Sequence, residues 1–461
     1  MITKIEINGF KTFEDFSMVF SPFVIVAGTN GSGKSNLFDV IRLLSGLAER
    51  DLKTTFAEQR GSFLELFTQY STAQTADEIQ IGIELFLDSS VKDEFNKEEQ
   101  LGHRRLRYEI HISRSKDIKH GFEKLVVQHE ALKPIKRAND KWYKEVVSGT
   151  EWESTKRSLN YKPYINTETK GGTKIINLRQ DGIRGGKPTP IKDLERSVLS
   201  GVNDASFPHA YAVRKEMLNW KIFQLNPIEL GKPSAMLGAD ILDIEGRNLA
   251  ALIKRVQTFE PMALNSMSRN IHLILPEIKR IFIDDDQARQ QYVLMVESSD
   301  GRVFSSNVLS EGTLRIIALI ALNHDERHRG LICFEEPENG IHPYRMKKIL
   351  EVLHSLATDF SIPTDAELPL RQVFINTHSP LLIKEIKSSD TFKNSLIYFS
   401  RLVSKVDAKK KVSYKLTRLS AVKNEDTKRM FLESIPVEDS VTHHELMEYL
   451  NVFDSETSLS N

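Results

Sequence analysis

The sequence predicts an α/β protein, and three observations carry that expectation. A short apolar run, Phe23–Ala27, leads directly into a glycine-rich loop and then into a helical periodicity. Beyond residue 200, strand and helix patterns alternate, as a sheet with crossover helices requires. A second apolar run, Leu331–Phe334, reads as another buried strand and ends in two carboxylates.

In chain order, Ile2–Ile7 and Phe16–Phe20 read as a β-hairpin, followed by the strand Phe23–Ala27. Apolar residues at 37, 40, 41, 44 and 47 place one face of a helix over Ser35–Leu47. Gln80–Leu87 alternates like a half-buried strand, as do Arg107–Ile112 and Leu125–His129. Later elements are helices at 247–257, 313–323 and 343–357 and strands at 291–297, 330–334 and 371–376. Neither repeats nor a heptad run long enough for a coiled coil is evident.

The chain has 461 residues, with 63 Lys+Arg balancing 63 Asp+Glu. That neutrality is a cancellation. Residues 101–196 hold 22 basic and 12 acidic residues, and the excess acid lies elsewhere. The segment reads as a loop-rich, antiparallel basic insertion, either a solvated lobe or a face for DNA or a partner. Arg104, Arg105, Arg107, Arg179 and Arg184 are its candidate contacts. Arg401–Arg429 is a second basic stretch, and 430–461 is an acidic tail. A single cysteine, Cys333, excludes an internal disulfide framework and a Cys-based zinc cluster. No run approaches the ~20 apolar residues that span a bilayer, and the N-terminus lacks a signal-peptide core. The expected compartment is the cytoplasm.

Gly28-Thr29-Asn30-Gly31-Ser32-Gly33-Lys34-Ser35 fits the P-loop pattern, with the strand before it and the helix after it that the motif needs. Glycines permit the tight turns that aim backbone N–H groups at an anion, and the helix directs its positive end the same way. Lys34 is expected to reach the β and γ phosphates of ATP, and Ser35 to help hold Mg²⁺. Asn30, Gly31, Ser32, Gly33 and Asn36 complete the candidate nucleotide site. Glu335 and Glu336, at the end of Leu331–Phe334, match a Walker B element. Glu335 is the candidate metal residue, and Glu336 the carboxylate that orients or deprotonates water.

These motifs, with four further segments in order, resemble ABC-type ATPases of the RecF/SMC/OLD group. Leu309–Thr313 resembles the signature loop, Pro337–Pro343 the D-loop, Thr377–Pro380 the switch-histidine loop, and Phe223–Pro233 with Glu245–Leu249 a linker of OLD-like ATPases. The resemblance covers roughly residues 1–90 and 205–400. It implies an ABC-type ATPase head, a mixed sheet flanked by helices, divided into 1–100 and 205–400 by the insertion 101–204 and followed by an extension, 401–461. It further implies a homodimer with nucleotide sandwiched between subunits, Ser310 and Gly312 clamping the γ-phosphate in trans, His378 as a catalytic sensor, and Asn339 near the interface. Gln80, Gln128 and Gln224 are all open as the glutamine-loop residue. Two departures stand out: Glu335 replaces the usual aspartate, and the signature reads LSEGT, placing Glu311 where phosphate would arrive.

With 61 residues after position 400, the nuclease domain fused to OLD-like enzymes is not expected here. A stand-alone ATPase of this kind most resembles the ATPase partners of two-gene antiphage systems, Septu among them and PARIS as the rival. The Septu comparison implies a higher homo-oligomer and an HNH-type nuclease subunit. A RecF- or SMC-like DNA repair ATPase and an ATP-held scaffold with little turnover are the alternatives.

Overall fold

The computed structural model describes residues 1–116, 123–147, 149, 151–153, 158–180, 184–387, 389–392, 395–407 and 412–422. The acidic tail 430–461 lies outside the described residues.

A sheet of six strands forms the centre. Their spatial order is Lys221–Phe223, Gly330–Glu335, Arg371–Thr377, Phe23–Ala27, Leu396–Asp407 and Val412–Ala421. The first five run parallel and the last is antiparallel. Parallel strands are covered on both faces, which explains their continuous apolar runs. Alternate side chains enter two different cores. Val24, Val26, Leu331, Cys333, Phe374, Leu396 and Tyr398 face one side. Phe23, Ile25, Ile332, Phe334, Val373, Ile375 and Ile397 face the other.

The first core is closed by the helix Lys34–Leu47 and an antiparallel sheet of eight strands. That sheet runs, in spatial order, Arg184–Pro190, Thr173–Gln180, Ile165–Lys170, Glu123–Pro134, Arg105–Lys116, Glu78–Phe86, Ile2–Asn8 and Phe16–Val19. Phe374 packs edge-on against both Phe38 of the helix and Phe20, locking sheet to helix. The second core holds the helices Leu249–Phe259, Ala263–Ile274, Glu311–Asn323, Met346–Ser355 and Pro380–Lys387. Beside them lies a small antiparallel sheet built on Gln291–Ser298 and Ile278–Asp286.

The basic segment does form antiparallel strands, but they extend the N-terminal sheet instead of standing apart. Arg105–Lys116 pairs along its length with Glu78–Phe86, and Leu106, Tyr108, Ile110 and Ile112 enter the shared core. Two of its arginines are structural. Arg105 is buried and grips Asp140 with two nitrogens, at 2.7 and 3.0 Å. Arg104 is buried too, donating to the carbonyls of Leu87 at 2.8 Å and Trp152 at 2.5 Å. Neither offers charge to DNA or a partner, and reversing Arg105 would strand the Asp140 carboxylate in the interior. Arg107 is held by Glu6, Glu84 and Glu109. The exposed cations of this sheet include Lys170, Lys174 and Lys187.

Glu130 has no solvent exposure and receives hydrogen bonds from Tyr108 Oη at 3.1 Å and the amides of Val198 at 2.6 Å and Leu199 at 2.9 Å. Burial pushes its pKa up to about 7 from 4.5. A carboxyl raised in the folded state contributes stability that is complete below its unfolded value and lost as pH rises through the folded one. The urea midpoint should therefore fall between pH 4.5 and pH 8, and Glu130→Gln should flatten that fall. An equal slope in the variant would remove Glu130 as the cause.

Candidate nucleotide site

The C-terminal ends of the parallel strands open onto one cleft, the place where open α/β sheets bind ligands. Strand register decides what meets there. Ala27 pairs with Thr377 and with Phe399, so the loop after Ala27 lies beside the loop carrying His378. Glu335 pairs with Asn376, bringing the Walker B end against the same loop.

Gly28 and Gly33 hold the P-loop where other residues fail. A Cβ on Gly28, whose φ is +148°, would sit 2.5 Å from the Ser400 carbonyl oxygen. A Cβ on Gly33, with φ +93°, would sit 1.9 Å from Thr417 Oγ1. Asn30 and Gly31 are on the exposed rim, whereas Ser32 is buried and its hydroxyl has no hydrogen-bond partner. Lys34 curls back to donate to the carbonyls of Gly28 at 2.6 Å and Thr29 at 2.8 Å. Burial lowers its pKa, opposed by the charges of Glu336 and Glu338. Asn36 turns its amide to Thr12 Oγ1, 2.9 Å away. Ser35 lines the cleft, and its carbonyl receives Arg60 Nη2 at 3.2 Å.

The cleft has a volume of about 320 Å³, with Ser35, Gln224, Arg315, Glu335, Glu336 and Asn376 in its walls. Gln224 hydrogen-bonds Glu335 Oε2 through its side-chain amide. Glu335 Oε1 and Asn376 Oδ1 are buried without hydrogen-bond partners. Orphaned acceptors beside a serine hydroxyl suit a hard cation or its waters. Among the described residues, no three His, Cys, Asp or Glu side chains gather as a complete metal cage. Mg²⁺ keeps waters and takes oxygens from phosphates as well as from protein, so the orphaned Glu335 Oε1 and Asn376 Oδ1 suit it. Ser35 and Glu335, both in the cleft wall, are the residues that would hold such an ion.

Glu336 adopts φ +49°, a left-handed conformation costly for a residue with a side chain. Its amide donates to the Asn376 carbonyl at 2.8 Å, which fixes the turn. Its carboxylate is held at both oxygens, by His378 Nδ1 at 2.7 Å and by Asn339 Nδ2 at 2.9 Å. Behind it, Glu338 is buried, which pushes its pKa up, and it accepts from Thr377 Oγ1.

Ser310 caps the helix Glu311–Asn323, accepting the Thr313 amide at 3.3 Å, and both Ser310 and Glu311 are exposed. Gly312 lies under the D-loop segment; a Cβ there would come within 2.3 Å of the Gly340 carbonyl oxygen. Ser310 and Gly312 are not in the walls of their own chain's cleft. Of the three open glutamines, Gln224 is the one at the cleft. Gln80 sits in the antiparallel sheet bonded to Glu78, and Gln128 lies in that sheet as well. Thr12, Ser400, Thr417, Arg60 and Arg315 belong to the site's surroundings without any motif to announce them. Only the glycines that pack against Ser400 and Thr417 gave a signal, and that signal named no partner.

The family model described as "AAA domain, putative AbiEii toxin, Type IV TA system" matches residues 23–384. The chain belongs to this P-loop ATPase family. Among solved structures it is similar to an SMC head bound to the C-winged helix domain of ScpA, at 14% identity and a TM-score of 0.44, over 90% of this chain and 97% of that one. For the SMC head domain from Thermotoga maritima the values are 13% and 0.36, over 90% and 98%. For the Smc head with an extended coiled coil, bound to the C-terminal domain of ScpA derived from Pyrococcus furiosus, they are 11% and 0.42, over 90% and 96%. No curated protein matches.

Gly33→Ala should weaken nucleotide binding at least tenfold while leaving the circular dichroism spectrum intact, because φ +93° and the Thr417 hydroxyl both reject a Cβ. Calorimetric titration with ATP checks this; wild-type affinity in the variant would mean that the loop does not bind nucleotide as described.

Proposed function

We propose that the protein binds and hydrolyses ATP with Mg²⁺, that two copies close around the nucleotide, and that this cycle regulates a separate nuclease in bacterial antiphage defence, in the manner of the Septu ATPase PtuA. Membership of the P-loop ATPase family supports the ATPase part. The observation that carries hydrolysis is the Glu336 carboxylate, held from both sides by His378 and Asn339 at the mouth of the cleft.

In this reading Lys34 leaves the Gly28 and Thr29 carbonyls to reach the β and γ phosphates, and the P-loop amides cradle them. Mg²⁺, held by Ser35 and Glu335, would neutralise charge on the phosphates. Gln224 restrains the second oxygen of Glu335. Glu336 takes a proton from water as its oxygen attacks the γ-phosphorus; the bond to the β-phosphate oxygen breaks and ADP leaves. His378 fixes the Glu336 carboxylate and lies beside the γ-phosphate. Ser310 and Gly312, which are not in the walls of their own cleft, serve the nucleotide of the second copy, as a helix N-terminus can.

The nuclease partner, of HNH type, and the higher homo-oligomer rest on the family resemblance, and the cytoplasmic location rests on a composition with one cysteine. Among the described residues no helix is long and apolar enough to cross a membrane. One observation favours a slower, scaffold-like ATPase: Glu311 is exposed in the signature loop, where its charge opposes an arriving phosphate. The exposed Lys170, Lys174 and Lys187 favour DNA contact, whether in a defence complex, such as a PARIS-type pair, or in a RecF-like repair role.

Turnover and mass measurements separate these readings. Glu336→Gln should still bind ATP, lose roughly 10²–10⁴-fold in kcat and accumulate as dimer with ATP, whereas Lys34→Ala should bind none. Undiminished turnover in Glu336→Gln would overturn the hydrolytic assignment. Failure of any co-encoded nuclease to copurify would overturn the defence assignment.

A further inference from the structure

The hairpin Leu396–Asp407 and Val412–Ala421 does more than finish the central sheet. Two of its buried hydroxyls reach the nucleotide loop from outside the motif. Ser400 Oγ donates to the Ser32 carbonyl at 2.9 Å, and Thr417 Oγ1 donates to the same oxygen at 3.4 Å. Thr417 Oγ1 also lies 2.6 Å from Thr12 Oγ1, which accepts from Asn36 Nδ2 at 2.9 Å. The proton directions form one consistent chain. When Thr417 gives its proton to Ser32, Thr12 can donate to Thr417 while accepting from Asn36.

The consequence follows from peptide geometry. In a trans peptide the C=O and the next N–H point in opposite directions. Pinning the Ser32 carbonyl to the hairpin therefore aims the Gly33 amide the other way, toward the hollow of the P-loop. The same contact explains the glycine at 33, since Thr417 Oγ1 occupies the space a Cβ would need. An anion site built from backbone amides gains from having them oriented before the ligand arrives.

We infer that Thr417, with Ser400 and Thr12, is a positioning residue of the nucleotide site, and that the C-terminal hairpin presets the P-loop for phosphate. This rests on the proposal that the loop binds ATP.

Thr417→Val tests it, because valine keeps the shape, suits a strand, and leaves the Thr417 amide bonded to the Thr12 carbonyl at 2.9 Å. The expected result is a Kd and KM for MgATP raised roughly 3- to 10-fold, the worth of one or two neutral hydrogen bonds, with KM changing more than kcat. Thr417→Ser should restore affinity. If Thr417→Val does not fold, Ser400→Ala removes the other hydroxyl from Ser32 and should raise Kd in the same direction. Affinity within twofold of wild type in the folded variant, while Lys34→Ala abolishes binding, overturns the positioning role alone. Absence of ATP binding by the wild type overturns the reading beneath it.

Discussion

Everything at the site depends on parallel pairing of three strands in one register. Phe23–Ala27 lies against Arg371–Thr377, which lies against Gly330–Glu335. Segments some 300 residues apart in sequence thus end at the same edge. The P-loop, the Glu335 and Glu336 carboxylates and the His378 loop are each an exit from one of those strands. Parallel ladders need burial on both faces, and the two cores meet that need through strictly alternating side chains. A slip of one residue would exchange the faces and move Glu335 away from Asn376.

Charge is then arranged around that edge. Lys34 is largely buried, faces Glu336 and Glu338, and rests on two carbonyls. Within the P-loop helix, buried Asp39 receives Lys11 at 2.7 Å and both Arg42 and Arg60 at 3.0 Å, and Arg60 also reaches the Ser35 carbonyl. This cluster ties the start of the helix to two separate loops. Such a carboxylate cannot lose its cations without leaving a buried charge, so the network resists rearrangement beside a loop that must accept a highly charged ligand. The left-handed turn at Glu336 adds local strain that the Asn376 contact contains.

Much of the fold was legible because short-range chemistry dictated it. The glycines of the P-loop, the apolar runs and the helical period of residues 35–47 all carry local reasons. Gln224 could not be chosen over Gln80 and Gln128, because only tertiary pairing places Lys221–Phe223 beside Gly330–Glu335. The basic segment misled for a related reason. Charge counting treats Arg104 and Arg105 as surface, whereas Asp140 and main-chain carbonyls draw them inside. The basic stretch after residue 400 hid a hairpin whose lysines alternate with inward-facing residues such as Tyr414 and Leu416. Its hydroxyl contacts with the P-loop are legible only after folding, since nothing in a threonine's identity names its partner.

In the proposed ATPase reading, Ser35 and Glu335, both in the wall of the cleft, would together hold the cation that accompanies ATP. Calorimetric titration of ATP, with and without Mg²⁺, into the wild type and Glu335→Ala tests it most directly. Mg²⁺ should tighten ATP binding to the wild type and bring little or no gain in the variant. Equal gains in both proteins would contradict it.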